Sequence, residues 1–246
     1  MKTFGIIGYP VSHSFSKAYF ADKWSDLGIE DHVYELLPIE HIADFRDFLT
    51  DKKLSGLNVT IPHKQAVIPF LDELDTSAEK IGAVNVIKFS DGKLVGFNSD
   101  YYGFRLSLEE WIGKEKLTTM RALVLGTGGA SKAVEVALED LKIPFKCISR
   151  SSSDKAISYQ ELRSEGNLAD YELIINTTPL GMHPNVDCCP DLDYDNLSEK
   201  HFLYDLVYNP VDTLFMKKGR EQGSKALNGL RMLHLQADKA WEIWNL

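Results

Sequence analysis

The chain reads as an α/β protein of two domains, and three observations predict this. Short apolar runs alternate with stretches of helical periodicity along its length, the signature of largely parallel sheets covered by helices. Its 246 residues exceed what most single cores hold. The apolar run Ala122–Leu125 leads straight into Gly126-Thr127-Gly128-Gly129-Ala130-Ser131 and a new helical pattern, the layout of a dinucleotide-binding βαβ unit. One domain is therefore expected to be Rossmann-like, and the other a smaller α/β unit with a mainly parallel sheet and a cleft between the two.

Taken in order, the apolar runs predict strands at Thr3–Ile7, Val33–Leu37, Leu57–Thr60 and Val84–Phe89. The turn Ser90-Asp91-Gly92-Lys93 folds the last of these back onto Leu94–Phe97 as a hairpin. A helix is expected over Asp100–Trp111, followed by the polar stretch Gly113–Thr119, which places the boundary near residues 100–118. A second unit begins at Arg121 with the strand Ala122–Leu125. The helix after it carries apolar residues at 130, 133, 134, 137, 138 and 141, a full helical stripe. Strands follow at Phe145–Ser149, Leu173–Asn176, Phe202–Leu206 and Lys225–Leu227. The closing helix, Gly229 to Trp244, places Leu230, Leu233, Ala237, Ala240, Trp241 and Trp244 on one face, and the pattern leaves open which unit it covers.

Composition narrows the classes of function. With 44% hydrophobic and 26% charged residues the chain resembles an ordinary globular protein. No run approaches the ~20 apolar residues of a membrane span, and the N-terminal run Phe4–Gly8 is too short for an export signal. A net charge of −9 argues against a nucleic-acid partner, because phosphate contacts need a basic surface, yet leaves room for a small anionic ligand in a locally positive pocket. Cys147, Cys188 and Cys189 form no CxxC pair, which suits reduced thiols in the cytoplasm. The histidines show no zinc spacing, so no metal is expected.

The Gly-rich turn has a chemical reason for each residue type. Gly126 permits the tight turn, Gly128 lets a pyrophosphate approach bare backbone, and the helix beginning at Gly129-Ala130 offers unpaired N–H groups and a partial positive charge. Thr127 lies inside the turn, and Ser131 stands where the fingerprint prefers Gly or Ala. Arg150 ends the next strand, where an NAD enzyme carries an acid for the ribose 2′-hydroxyl. An arginine there presents a planar fork to a 2′-phosphate, flanked by Ser149 and the Ser151–Ser153 hydroxyls, and so points to NADP. The alternative for Arg150 is a solvated loop residue.

Beyond the fingerprint, seven ordered blocks resemble the shikimate dehydrogenase family over nearly the whole chain. They are Gly8-Tyr9-Pro10-Val11-Ser12-His13-Ser14-Phe15-Ser16, Gly56-Leu57-Asn58-Val59-Thr60-Ile61-Pro62-His63-Lys64, Gly82-Ala83-Val84-Asn85 and Gly96-Phe97-Asn98-Ser99-Asp100. The later ones are Asn176-Thr177-Thr178-Pro179-Leu180-Gly181-Met182, Asp205-Leu206-Val207-Tyr208-Asn209-Pro210, and Gly229-Leu230-Arg231-Met232-Leu233 with Gln236-Ala237. The resemblance implies Lys64 and Asp100 as the catalytic pair. It implies Ser14, Ser16, Asn58, Thr60, Asn85, Tyr208 and Gln236, together with Lys64 and Asp100 themselves, as substrate contacts, and Asn176, Thr177, Leu206 and Gly229 beside the Gly-rich turn as cofactor contacts. It also implies a substrate domain over residues 1–100, an NADP domain over 101–229, and a last helix, 230–246, returning to the first. The reaction it implies is the reversible reduction of 3-dehydroshikimate to shikimate with NADPH, by a monomer or homodimer.

Side-chain chemistry agrees independently. Hydroxyls and amides suit a ligand bearing several hydroxyls, each of which needs a partner when buried. Ser14 and Ser16 open a helix able to hold a carboxylate, and Lys64 follows Pro62 at a strand end, at the start of another expected helix. Taken singly, Ser14, Ser16 and Asp100 also suit helix N-caps, Lys64 a solvated lysine, Asn58 and Asn85 turn backbone, Tyr208 a packed aromatic, and Gln236 a polar position on an amphipathic helix. The chain departs from the family at Lys17, where the family has Pro, and at Ser99, where it has Thr. Ser149-Arg150-Ser151 replaces Asn-Arg-Thr, and Asp154 stands near where a further basic residue is common, with Lys155 beside it. Competing readings are a quinate or aminoshikimate dehydrogenase using NAD or NADP, and a non-catalytic NADP-binding regulator.

Overall fold

The computed structural model describes residues 1–12, 14–50, 52–165 and 168–246; His13, part of the first matching block, lies outside them. The chain divides into two units, Met1–Tyr102 with His234–Leu246, and Gly103–Leu233. Among the described residues no helix is long and apolar enough to cross a membrane.

The first unit is built on a six-stranded sheet in the order β2-β1-β3-β5-β6-β4. These strands are β1 (Lys2–Gly8), β2 (His32–Pro38), β3 (Leu54–Val59), β4 (Glu73–Leu74), β5 (Val86–Ser90) and β6 (Lys93–Phe97). β1 lies between two parallel neighbours and is buried from Phe4 to Gly8, as a strand covered on both faces must be. Pairing of β1 with β3 sets Ile7 opposite Val59, so both chains leave the sheet together and Thr60 N–H donates to Ile7 O at 2.9 Å. One face of the sheet is covered by helix α1 (Ser16–Asp26) and the last helix, through Phe4, Phe20, Trp24, Tyr34 and Trp244. Gly56 in β3 is required there: a Cβ would come within 2.4 Å of the Trp244 indole, whose Nε1–H donates to Ile87 O at 3.2 Å. The short helices α2 (Phe45–Thr50) and α3 (Thr76–Ile81) complete the unit, with Phe45, Leu57, Val67 and Ala78 in a second core cluster.

The expected hairpin is present, with Asp91 and Gly92 both at positive φ, the turn whose twist matches the strands it joins. Two features differ from the sequence expectation. β3 pairs β5 antiparallel, so this sheet mixes three parallel and two antiparallel ladders. No regular helix begins at Lys64. Its carbonyl accepts from Val84 N–H at 2.7 Å rather than from the next turn, and Pro69 has no N–H to give, so residues 61–67 form successive turns ahead of a 3₁₀ turn at Ile68–Phe70.

The chain passes to the second unit along α4 (Ser99–Ile112), followed by the single turn α5 (Lys114–Leu117). Its sheet, in the order β12-β11-β10-β7-β8-β9, is parallel throughout. The strands are β7 (Ala122–Leu125), β8 (Phe145–Ser149), β9 (Ala156–Ser158), β10 (Leu173–Asn176), β11 (Phe202–Asp205) and β12 (Lys225–Asn228). Order reverses between β7 and β10, which opens a crevice at their carboxyl ends, the place where doubly wound sheets take ligands. Helix α6 (Gly129–Asp140) buries Ala133, Val134, Ala137 and Leu138 of the stripe read from the sequence, while Ala130 at its start is exposed and Leu141, just past its end, is half-buried. The helices α7 (Tyr159–Glu165) and α8 (Leu214–Glu221) follow. α7 starts in a capping box: Ser158 Oγ accepts from Glu161 N–H at 3.1 Å, and Ser158 N–H donates to Glu161 Oε2 at 2.7 Å. Helix α9 (Leu230–Asn245) ends the chain, its residues from His234 on belonging to the first unit.

Candidate active site

In the first unit a line of hydrogen bonds ties the polar residues at the strand ends together. Lys64 Nζ donates to Asp100 Oδ2 at 2.7 Å, both side chains being largely shielded, at 26% and 17% exposed. Asp100 follows Ser99, the first residue of α4, which is wholly buried. Ser99 N–H donates to Asn85 Oδ1 at 2.7 Å, Asn85 Nδ2 donates to Ser99 Oγ at 3.0 Å, and Ser99 Oγ donates to Gln236 Oε1 at 3.3 Å. Asn58 Nδ2 donates to Asn85 O at 3.2 Å, while Asn58 Oδ1 accepts from the Tyr34 hydroxyl at 2.6 Å. Ser16 is a second partner of the Tyr34 phenol, whose pKa is pushed up by burial. Ser14 Oγ accepts from Ser16 N–H at 3.3 Å, and Thr60 sits half-buried at the end of β3.

Eight of the nine substrate and catalytic candidates, namely Ser14, Ser16, Asn58, Thr60, Lys64, Asn85, Asp100 and Gln236, thus belong to the first unit. Tyr208 falls in the second, where burial raises its phenol pKa. Asn58 is turned inward, 5% exposed with both ends of its amide engaged, and so supports its neighbours. Ser99 and Tyr34 carry as much of this network as the residues singled out from the sequence. In the sequence Ser99 stands out only as a change from the family's Thr and Tyr34 has no signal, because a buried hydroxyl looks the same in a core as in a site.

The second unit presents the dinucleotide features at the carboxyl end of β7. Gly126 has φ +108, and a Cβ there would meet Thr177 Oγ1 at 2.8 Å. Thr127, Gly128, Gly129 and Ala130 are exposed, and a Cβ on either Gly128 or Gly129 would meet nothing within 4 Å. Gly128 caps α6 without any side-chain hydrogen bond and no acid lies in the first turn, so the helix start keeps its positive end open to an anion. Ser131 is accommodated by donating its hydroxyl to Gly128 O at 2.7 Å. These residues fit a dinucleotide.

Around that cradle the structure sorts the remaining candidates. Arg150 is exposed, and among the described residues no carboxylate pairs with it. Ser149 donates its hydroxyl to Ser151 O, and Ser152 donates to Glu161, so these hydroxyls already have partners inside the chain. Asn176 is wholly buried: its Nδ2 donates to Asp205 Oδ1 at 2.9 Å, and its Oδ1 accepts from Thr178 N–H at 3.0 Å and Thr178 Oγ1 at 2.6 Å. It therefore shapes the loop 176–182, whereas Thr177 stands at the cradle with its hydroxyl donated to Leu125 O at 2.8 Å. Leu206 N–H donates to Asn176 O at 2.9 Å, and Gly229 packs so tightly on Leu206 that a Cβ would lie 2.2 Å from its carbonyl oxygen. Asp205, to which sequence reading assigns no role, anchors this end of the unit by accepting from Asn176, from Val207 N–H at 3.0 Å and from Thr213 Oγ1 at 2.6 Å. Burial pushes its carboxyl up to about 6. No group of acids, histidines and cysteines among the described residues could hold a metal ion.

The profile of the shikimate dehydrogenase substrate binding domain matches residues 6–87. A protein of Methanococcus aeolicus named shikimate dehydrogenase (NADP(+)) is 38% identical, the match covering 99% of this chain and 91% of that one. Among solved structures, a shikimate dehydrogenase in complex with NADP+ superposes with a TM-score of 0.89 at 34% identity, over 99% of this chain and 90% of that one. The shikimate 5-dehydrogenase of Thermus thermophilus in complex with NADP(H) and shikimate gives 0.84 at 29% identity, over 99% and 93%. Identity at this level along nearly its whole length makes the chain a member of the shikimate dehydrogenase family.

Proposed function

We propose that the protein catalyses the reversible reduction of 3-dehydroshikimate to shikimate with NADPH. The observation that carries this is the shielded Lys64–Asp100 pair, set in a network of amides and hydroxyls, in a chain 38% identical to a relative of that activity. Residues 1–100 with the last helix act as the substrate domain and residues 101–229 as the cofactor domain. The Gly126–Ala130 turn and Thr177 hold the dinucleotide, with Leu206 and Gly229 shaping the adjoining backbone, and Arg150 receives the 2′-phosphate. NADPH, when bound, supplies the hydride.

The chain's own part is to place and protonate the ring acid. Ser14 and Ser16 receive the carboxylate, while Thr60, Asn85, Tyr208 and Gln236 partner the ring hydroxyls, each of which would otherwise be buried unpaired. Negative charge grows on the ketone oxygen as it is reduced, and Lys64 Nζ donates a proton there, a contribution of typically ~10²–10⁴-fold. Asp100 holds the ammonium with Oδ2, which leaves Oδ1 for a ring hydroxyl. A cytoplasmic monomer or homodimer with no nucleic-acid partner is in keeping with the net charge of −9 and three unpaired cysteines.

Steady-state rates on shikimate and quinate, each with NADP and NAD, test the reading. The highest kcat/KM is expected for shikimate with NADP. A preference for quinate with NAD would replace this substrate and cofactor pair, and no turnover with any pair would leave a nucleotide-binding regulator.

A further inference from the structure

We infer that Phe15 and His234 form an aromatic brace that positions the Ser14–Ser16 clamp, an inference that rests on the clamp's role proposed above. The clamp's own hydrogen bonds are local: Ser14 N–H donates to Val11 O at 3.0 Å and Ser16 N–H to Ser14 Oγ at 3.3 Å. Helix α1 starts at Ser16 with Phe15 as its N-cap, a residue with no side-chain acceptor for the free N–H groups of the first turn. Lys17, the next residue, is exposed and has none of the fixed φ with which a proline would stiffen a helix start.

The ring between the two serines does this work from the side. Phe15 lies flat on the His234 imidazole, with centroids 5.3 Å apart and planes at 16°, and Tyr19 closes the cluster at 5.3 Å from Phe15 and 5.5 Å from His234. The cluster is latched at its far end, where Tyr19 OH and Lys23 Nζ both donate to Asp238 Oδ1, at 2.6 and 2.5 Å. His234 and Asp238 belong to α9, the helix that also carries Gln236. One rigid helix thus sets both the clamp and Gln236, so the end of the ring acid that bears the carboxylate is held in register with the hydroxyls that Gln236 partners. Phe15 and His234 are only half-buried and lie outside the buried cluster of Phe4, Phe20, Trp24 and Trp244, so the stack is an addition to the core and not a part of it.

The test compares Phe15→Leu, His234→Leu and the double variant with His234→Phe, which keeps a ring, and with Ser14→Ala/Ser16→Ala. Both Leu variants are expected to raise the KM for shikimate roughly three- to tenfold, the worth of one aromatic pair, with kcat and the KM for NADP within about twofold of the parent. The double variant should cost less than the two single effects combined, since both remove the shared Phe15–His234 contact while each also removes its own contact with Tyr19. His234→Phe should restore the parent KM. Hydrogen exchange provides a readout free of activity: the amides of Ser16 and Tyr19 should exchange faster in the Leu variants, with Tm little changed. Unchanged exchange, an unchanged KM beside a raised one in the serine variant, or failure of His234→Phe to rescue would each overturn the brace. If exchange accelerates while the parent does not turn over shikimate, the brace stands and the proposed substrate falls.

Discussion

Asp205→Asn removes a charge that the second unit holds entirely away from water. Three donors converge on the carboxylate, yet desolvation outweighs them and raises the carboxyl from 3.8 to about 6. A folded-state pKa above the unfolded one means that the native protein binds this proton more tightly. The group's contribution is therefore most favourable below pH 3.8 and is lost as the pH rises through about 6. At about 1.4 kcal/mol for each pH unit, ionising Asp205 in the folded state costs about 3 kcal/mol above pH 6, of which about 2 kcal/mol accrues between roughly pH 4.5 and 7.5. Asparagine keeps an acceptor for Asn176 and Val207, and its NH₂ can donate to a turned Thr213 hydroxyl, so little else changes. Urea unfolding of both proteins at the two pH values should show the stability difference shifting by about 2 kcal/mol in favour of the variant as the pH rises. A difference independent of pH would refute the reasoning, because it would mean that Asp205 titrates alike in the folded and unfolded chains.

Three further outcomes are expected. Lys64→Ala should lower kcat by tens to thousands-fold with a smaller effect on KM, and near-normal turnover would remove Lys64 from the chemical step. Arg150→Ala should weaken NADP by about 1.5–3 kcal/mol, roughly ten- to hundred-and-fifty-fold in kcat/KM, and leave NAD far less affected; equal losses for both would make the arginine structural. Gly229→Ala drives a methyl to within 2.2 Å of Leu206 O, so it should cost about 1–3 kcal/mol in thermal unfolding, and an unchanged Tm would show that this backbone can yield.

Periodicity carried the α/β class and most strands, because buried parallel strands read as apolar runs, β7 throughout and β10 and β11 up to their last residues, Asn176 and Asp205. It could not carry β4 and β9, which at two and three residues are shorter than any repeat of alternation. Nor could it carry strand direction: the antiparallel β3–β5 pair follows from residues 60–85 returning to the sheet at the same end where β3 leaves it, with Val86 opposite Asn58, a tertiary fact. In the candidate site, the Gly-rich turn was legible because its glycines answer to local backbone geometry. Arg150 was legible from its offset to that turn. Lys64 and Asp100, 36 positions apart, were paired on family resemblance alone. Ser99 and Asp205 stood in matching blocks without an assigned role and Tyr34 escaped notice, because what distinguishes all three is where their hydrogen bonds go, which is decided only when distant strands meet.

The first unit is discontinuous in the chain, since His234–Leu246 must rejoin Met1–Tyr102 after the whole of Gly103–Leu233 has been made. On the ribosome the later-encoded unit is therefore the first with all its residues in hand. The early strands emerge without Ala237, Ala240, Ile243 and Trp244, which seal the Phe4–Phe20–Trp24 face. That face, aromatic and unpaired, waits through more than a hundred residues of synthesis, a period in which exposed apolar surface invites aggregation and chaperone capture. The protein's yield in a cell should thus respond to translation speed and chaperone supply more than its final stability would suggest. Premature termination within the last helix should be more damaging than its small share of the chain implies.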